Sequence, residues 1–181
     1  RIGELSLNNQ NYKAAKKAFS YILTFGKQNE LYTWAEVLSL KCLFLEITDT
    51  KQYSEQEITH CINEYQKIIQ KQGMNRKNLF LIIQLSDIYA FYANKATMAI
   101  EILNKALKIP YLTDIQKASI KMKSADINVV KGDIWEASLL YMQIESDFKF
   151  EKIGEEAKFK NAKIFYYNGE FKYAQSQLNI L

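Results

Sequence analysis

Apolar residues recur along this chain at spacings of three and four. From Ile134 they continue through Ala137, Tyr141 and Ile144, after Gly132 and Asp133. That spacing places them on one face of a helix, with the glycine ending the preceding helix and the aspartate capping the new one. The same arrangement returns as Gly169 to Ala174 with Leu178 and Leu181, as Asn94 to Ala99 with Leu103, Ala106 and Pro110, and early as Asn11-Tyr12 with Ala15, Phe19 and Ile22. A helical unit repeated in this way cannot bury its apolar face alone, so its copies must stack.

The pattern predicts nine helices and a helical stub over residues 1–8. The first full helix runs from Tyr12 to about Phe25. The next, Leu31–Ile47, is apolar nearly all round and should be heavily buried. A polar turn, Thr48–Tyr53, follows. Ser54 with Glu57 three residues on is a capping-box pattern, opening a helix that carries Ile58, Cys61, Ile62, Tyr65, Ile68 and Ile69. Residues 76–92 form another. A turn near Ala93–Lys95 leads to a helix that Pro110 stops. Thr113–Lys131 is a long helix with Gly132 as a left-handed cap. The Trp135 helix reaches about Phe148, Lys149–Gly154 is a loop, and residues 155–168 and 170–181 make the last pair. Links of about two to six residues make consecutive helices antiparallel neighbours. Ala99, Ala137 and Ala174, spaced 38 and 37 residues apart, fall where paired helices approach most closely.

Composition fits this picture. The chain has 181 residues, 48% of them hydrophobic, with one proline and six glycines. That is enough for a sizeable core, with few helix breakers. No apolar run reaches the ~18 residues of a membrane span. The chain begins with Arg1 inside a helical pattern and stops at Leu181 on a packing position, so it reads as a single repeat domain, 1–181, cut from a longer protein. No secretory signal is visible, which leaves cytoplasm and periplasm both open.

The net charge is +4. Arg1 and Arg76 are the only arginines, and the other basic residues are lysines scattered over most helices. This argues against nucleic acid, whose readers exploit the planar fork of arginine. The lysines read as a solvated face, with a weakly anion-attracting surface as the alternative.

Chemistry is sparse. His60 stands beside Cys61, but neighbouring residues on a helix point about 100° apart, so the two do not form a nucleophile and base. One histidine and two cysteines are too few for a zinc site. No glycine-rich phosphate loop occurs. Cys42 and Cys61 read as buried free thiols. Glu155 and Glu156 read as first-turn partners of a helix dipole, and Trp34 and Trp135 as packing residues. No catalytic, cofactor or metal residue is expected, and an enzyme ranks behind a binding scaffold and a structural spacer.

The helix pairs resemble the tetratricopeptide repeat, in which two antiparallel helices recur every ~34 residues. Ala137 and Tyr141, Ala99 and Leu103, and Ala174 and Leu178 match the small and large positions of its second helix, and Pro110 matches its terminal proline. Leu85, Ser86 and Tyr89, and Ala162 and Phe165, match positions of the first helix; Asn128 stands where an aromatic is expected. The period here is longer than the family's. The resemblance implies an all-α, right-handed α-solenoid of antiparallel helix pairs with about four and a half repeats. The last two repeats look like those of large bacterial repeat proteins, several of the cell envelope.

The resemblance also implies function. Such domains hold a partner protein or peptide in a concave groove lined by the first helix of each pair. Carried onto this sequence, the groove contains Asp87, Phe91, Met122, Asp126, Phe159, Lys163, Tyr166 and Tyr167, together with Ala90, Val129 and Val130. Phe91, Val130 and Tyr167 could equally pack on a following repeat. The Lys and Asn that clasp acidic chaperone tails in some members are Ile83 and Asp87 here, so that partner is not expected. The alternative function is a spacer or assembly segment within a larger chain, in contact with flanking repeats. Ile2, Leu5 and Leu7 at one end, and Leu178, Ile180 and Leu181 at the other, should expose apolar surface.

Overall fold

The structure is a computed structural model that describes residues 1–50 and 53–178. Lys51 and Gln52 in the expected Thr48–Tyr53 turn, and the expected end residues Ile180 and Leu181, lie outside the described residues. Within them there are ten α-helices and no strand: α1 (Ile2–Asn8), α2 (Tyr12–Leu23), α3 (Tyr32–Thr50), α4 (Glu55–Gln72), α5 (Leu79–Asp87), α6 (Ala96–Ala106), α7 (Asp114–Lys131), α8 (Ile134–Asp147), α9 (Lys152–Tyr167) and α10 (Phe171–Leu178). They group into two compact units, Arg1–Lys71 and Gln72–Leu181.

In the first unit, α2 and α3 run antiparallel. Tyr12, at the start of α2, hydrogen-bonds to Asp49 near the end of α3, and Lys13 pairs with Glu46 at 3.7 Å. Ala15, Phe19, Ala35 and Cys42 form the core between them, and Trp34 meets the Phe19 ring edge-on at 5.4 Å. Gly3 of α1 sits on Phe19; a Cβ there would lie 2.7 Å from the ring. Helix α4 is held against α3 at two points along its inner face. The Tyr65 hydroxyl lies 3.4 Å from the Leu40 carbonyl, and Lys71 pairs with Glu36 at 2.7 Å. The Ser54–Glu57 capping box forms as the sequence predicts: the Ser54 N–H donates to Glu57 at 2.7 Å, and the Glu57 N–H to the Ser54 hydroxyl at 3.2 Å. Cys42 and Cys61 are free and fully buried, and burial raises their thiol pKa values to about 11 and about 12.

In the second unit each helix packs on the next from α5 to α10. Ala99, Ala137 and Ala174 are buried at the tight crossings, which is why a larger side chain does not occur there. The main core joins Ala118, Met122 and Ala125 of α7 with Ala137, Tyr141 and Ile144 of α8 and with Ile164 and Phe165 of α9. Gly132 ends α7 at φ 89° and ψ 3°, in the left-handed region that glycine enters without steric cost.

Two local features differ from the sequence pattern. First, α5 ends in a π-helical turn, Ile88–Tyr92, closed by the Ala93 N–H donating to the Ile88 carbonyl at 2.9 Å. The wider turn rotates the residues after Asp87 relative to a regular helix. Second, α9 begins at Lys152, so Gly154 belongs to its first turn and not to the loop. A Cβ on Gly154 would lie 2.0 Å from the Phe148 carbonyl oxygen, so the close approach of the α8–α9 link requires glycine.

Candidate interaction surface

Helices α5, α7 and α9 are the first members of the three pairs in the second unit, and ion pairs link them in sequence. Lys123 of α7 pairs with Asp87 at 2.9 Å, and Lys160 of α9 pairs with Asp126 of α7 at 2.9 Å. The positions are regular. Lys123 and Lys160 stand two residues before the small residues Ala125 and Ala162. Asp87 and Asp126 stand one residue after Ser86 and Ala125. Each lysine reaches back to the aspartate of the preceding first helix.

These pairs are partly buried, and burial opposes their charges. It pushes the Asp87 carboxyl above its ordinary value against the pull of Lys123, and the nearby Asp126 charge adds to the effect. Burial works to lower the Lys160 pKa, but its bonds to Asp126 and Glu156 raise it overall. Tyr141, reaching across from α8, donates its hydroxyl to Asp126 at 2.7 Å. Burial and then that hydrogen bond raise the tyrosine pKa.

The pattern changes at α9. The position after Ala162, an aspartate in the two preceding first helices, is Lys163. Its side chain is exposed and lies 5.9 Å from the centre of the Tyr167 ring. Around it, Phe159, Tyr166 and Tyr167 are 53%, 56% and 75% exposed. Residues 159, 163, 166 and 167 follow helical spacing, so they form one stripe on the outer side of α9. Phe171 of α10 extends it, its ring 5.3 Å from that of Tyr166. The opposite side of α9 carries Ala157, Asn161, Ala162 and Phe165 into the core.

The eight residues expected in the groove therefore separate into distinct groups. Phe159, Lys163, Tyr166 and Tyr167 come together on one exposed stripe. Phe91 is 42% exposed on the π-turn of α5. Asp87 and Asp126 are held in ion pairs inside the unit, which link successive first helices. Met122 requires correction: it is 7% exposed and packs in the core with Ala118 and Ala125, so it is not a contact residue. Of the accompanying residues, Ala90 is buried, Val129 packs against the core, and Val130 is exposed.

Sequence reasoning missed Trp135, which is 78% exposed and touches Phe165 only edge-on. A tryptophan in the first turn of a helix has no inward-facing neighbour three residues earlier, which was the available signal. His60 is exposed while Cys61 is buried, so the two side chains diverge. Among the described residues no three His, Cys, Asp or Glu side chains converge as a metal site, and no helix is long and apolar enough to cross a membrane.

No family model matches this chain, and no curated protein matches it in sequence. A solved structure does match in fold. It is a crystal structure of a single-residue variant, showing nearly identical TPR-like repeats of a protein assigned as a kinesin light chain in Podospora anserina. The TM-score is 0.75, covering 98% of this chain and 90% of that one. This chain has a tetratricopeptide-like helical repeat fold. At 13% identity the likeness is one of fold alone.

Proposed function

We propose that this chain is a protein–protein interaction scaffold and that a partner peptide or protein segment docks on the outer stripe of α9. The observation that carries this reading is the contiguous aromatic surface of Phe159, Tyr166, Tyr167 and Phe171 around an exposed lysine. Large aromatic side chains bring much contact area at low entropic cost, and they dominate the energetics of recognition surfaces. Helical repeat folds of this type generally serve protein–protein interaction. Lys163 supplies the polar element of the surface and favours a partner with a carboxylate opposite it.

A peptide library displayed on phage and selected against the chain tests the proposal. Enriched peptides should bind the wild-type chain and lose affinity by ~1–2 kcal/mol on Tyr166→Ala, as for an ordinary interface aromatic. Peptides that bind Phe159→Ala, Lys163→Ala and Tyr166→Ala as tightly as wild type would move the site elsewhere. A chain that enriches no peptide at all would favour the spacer reading.

A further inference from the structure

The repeat pattern breaks at one place on α7. Counted from the aligned small residues Ser86, Ala125 and Ala162, the residue three further on is Tyr89 in α5, Asn128 in α7 and Phe165 in α9. Tyr89 and Phe165 are buried rings; Asn128 is buried too, but it fills far less space than a ring. A cleft of about 810 Å³ opens there, lined by α6, α7 and α8. From α7, Lys121, Ser124, Asn128 and Lys131 line it on one helical stripe. That stripe rises ~15 Å along the helix. Ser124 is 5% exposed, and its hydroxyl is buried without a hydrogen-bond partner. The apolar lining is accessible: Leu107 of α6 and Leu140 of α8 are half-buried, and Trp135 is exposed. The lysines are neutralised, Lys131 by Asp133 at 2.6 Å and Lys121 by Asp147 at 4.0 Å. Glu136 lines the cleft with no ion pair among the described residues.

We propose that this cleft holds an extended peptide segment of a partner protein, with apolar side chains against Trp135 and Leu140 and a lysine or arginine opposite Glu136. The length suits a short segment, since the α7 stripe spans ~4–5 residues of extended chain. The polar lining suits a peptide backbone. Asn104 and Asn128 each offer an amide donor and a carbonyl acceptor, and Ser124 offers a hydroxyl. A peptide group presents the complementary acceptor and donor. A buried hydroxyl without a partner is costly, and a backbone carbonyl or N–H entering the cleft relieves that cost. The charge suits a basic segment. With both lysines neutralised, the unpaired charge in the cleft is negative, which repels a phosphate-bearing ligand and holds a cationic side chain. The cleft shares no residue with the α9 stripe.

Random heptapeptides on phage, selected against the full chain carrying Tyr166→Ala, test this cleft apart from the α9 surface. Synthetic copies of the enriched peptides should bind that chain, and Trp135→Ala should weaken them by about tenfold. Asn128→Phe places in α7 the ring that α9 carries, and it should abolish binding while circular dichroism shows native helix content. If that variant does not fold, Trp135→Ala and Glu136→Lys, both at exposed positions, carry the test. Glu136→Lys should shift the enriched sequences from basic to acidic. Methylating single backbone nitrogens of a bound peptide should weaken it at one or more central positions, because a donor is lost. Failure to enrich any peptide would overturn the proposal, as would peptides that bind Trp135→Ala and Glu136→Lys as tightly as the starting chain. So would binding indifferent to every N-methylation, or saturable binding of ATP that Trp135→Ala abolishes.

Discussion

Lys160 places its ammonium group 2.9 Å from both carboxylate oxygens of Asp126, 34 residues earlier in the chain. The same carboxylate receives the Tyr141 hydroxyl, so three helices meet at one side chain. Removing the acceptor leaves a buried hydroxyl without its partner and leaves Lys160 with Glu156 alone, at 3.3 Å. Asp126→Ala should therefore cost ~2–4 kcal/mol in urea unfolding, and Asp126→Asn, which keeps an acceptor, should cost less. The pH dependence has a definite sign. A lysine whose folded pKa is raised stabilises the fold fully below its unfolded pKa, about 10.4, and loses that contribution as pH rises through the folded value. Alkaline unfolding of Lys160→Met should lack this component.

The close approach at Gly154 gives a second expectation. Helix propensity alone favours alanine over glycine by ~1 kcal/mol inside a helix. Here the added methyl would meet the Phe148 carbonyl at 2.0 Å, and backbone must move. Gly154→Ala should destabilise the chain by ~1–3 kcal/mol, as overpacking does. A gain in stability would mean that the α8–α9 link yields easily.

The Ser54–Glu57 box titrates in acid. Hydrogen bonds from the Ser54 N–H and hydroxyl hold the Glu57 carboxyl below its usual value. Its contribution is fully present above the unfolded pKa, ~4.3, and is lost as pH falls through the folded value. The protection of the first-turn amides of α4, measured against their intrinsic exchange at each pH, should fall in that acid range in the wild-type chain. In Glu57→Gln that fall in protection should be absent.

Adjacent residues on α9 should behave in opposite ways. Phe165 is 4% exposed in the core, while Tyr166 is 56% exposed. Phe165→Ala should cost ~3–5 kcal/mol in denaturant unfolding. Tyr166→Ala should stay within ~0.5 kcal/mol of wild type. Comparable losses in both would show that Tyr166 serves the fold.

The sequence by itself determined what depends on neighbours within a few residues. The apolar period marked the helices, Ser54 with Glu57 marked a start, Gly132 marked an end, and the small residues Ala99, Ala137 and Ala174 marked the tight crossings. Each of these follows from helix geometry, backbone freedom or side-chain volume, which operate locally. Tertiary structure decided which outward-facing residues are free. Asp87, Asp126 and Lys163 occupy equivalent positions, yet the first two are neutralised by lysines from the next first helix while the third faces outward beside aromatic rings. Packing buried Ala90, and α7 placed Met122 against Ala118 and Ala125 rather than in a groove. Periodicity fixes the face of a helix on which a residue lies; what lies opposite that face depends on side chains tens of residues away, brought within a few ångströms only by packing.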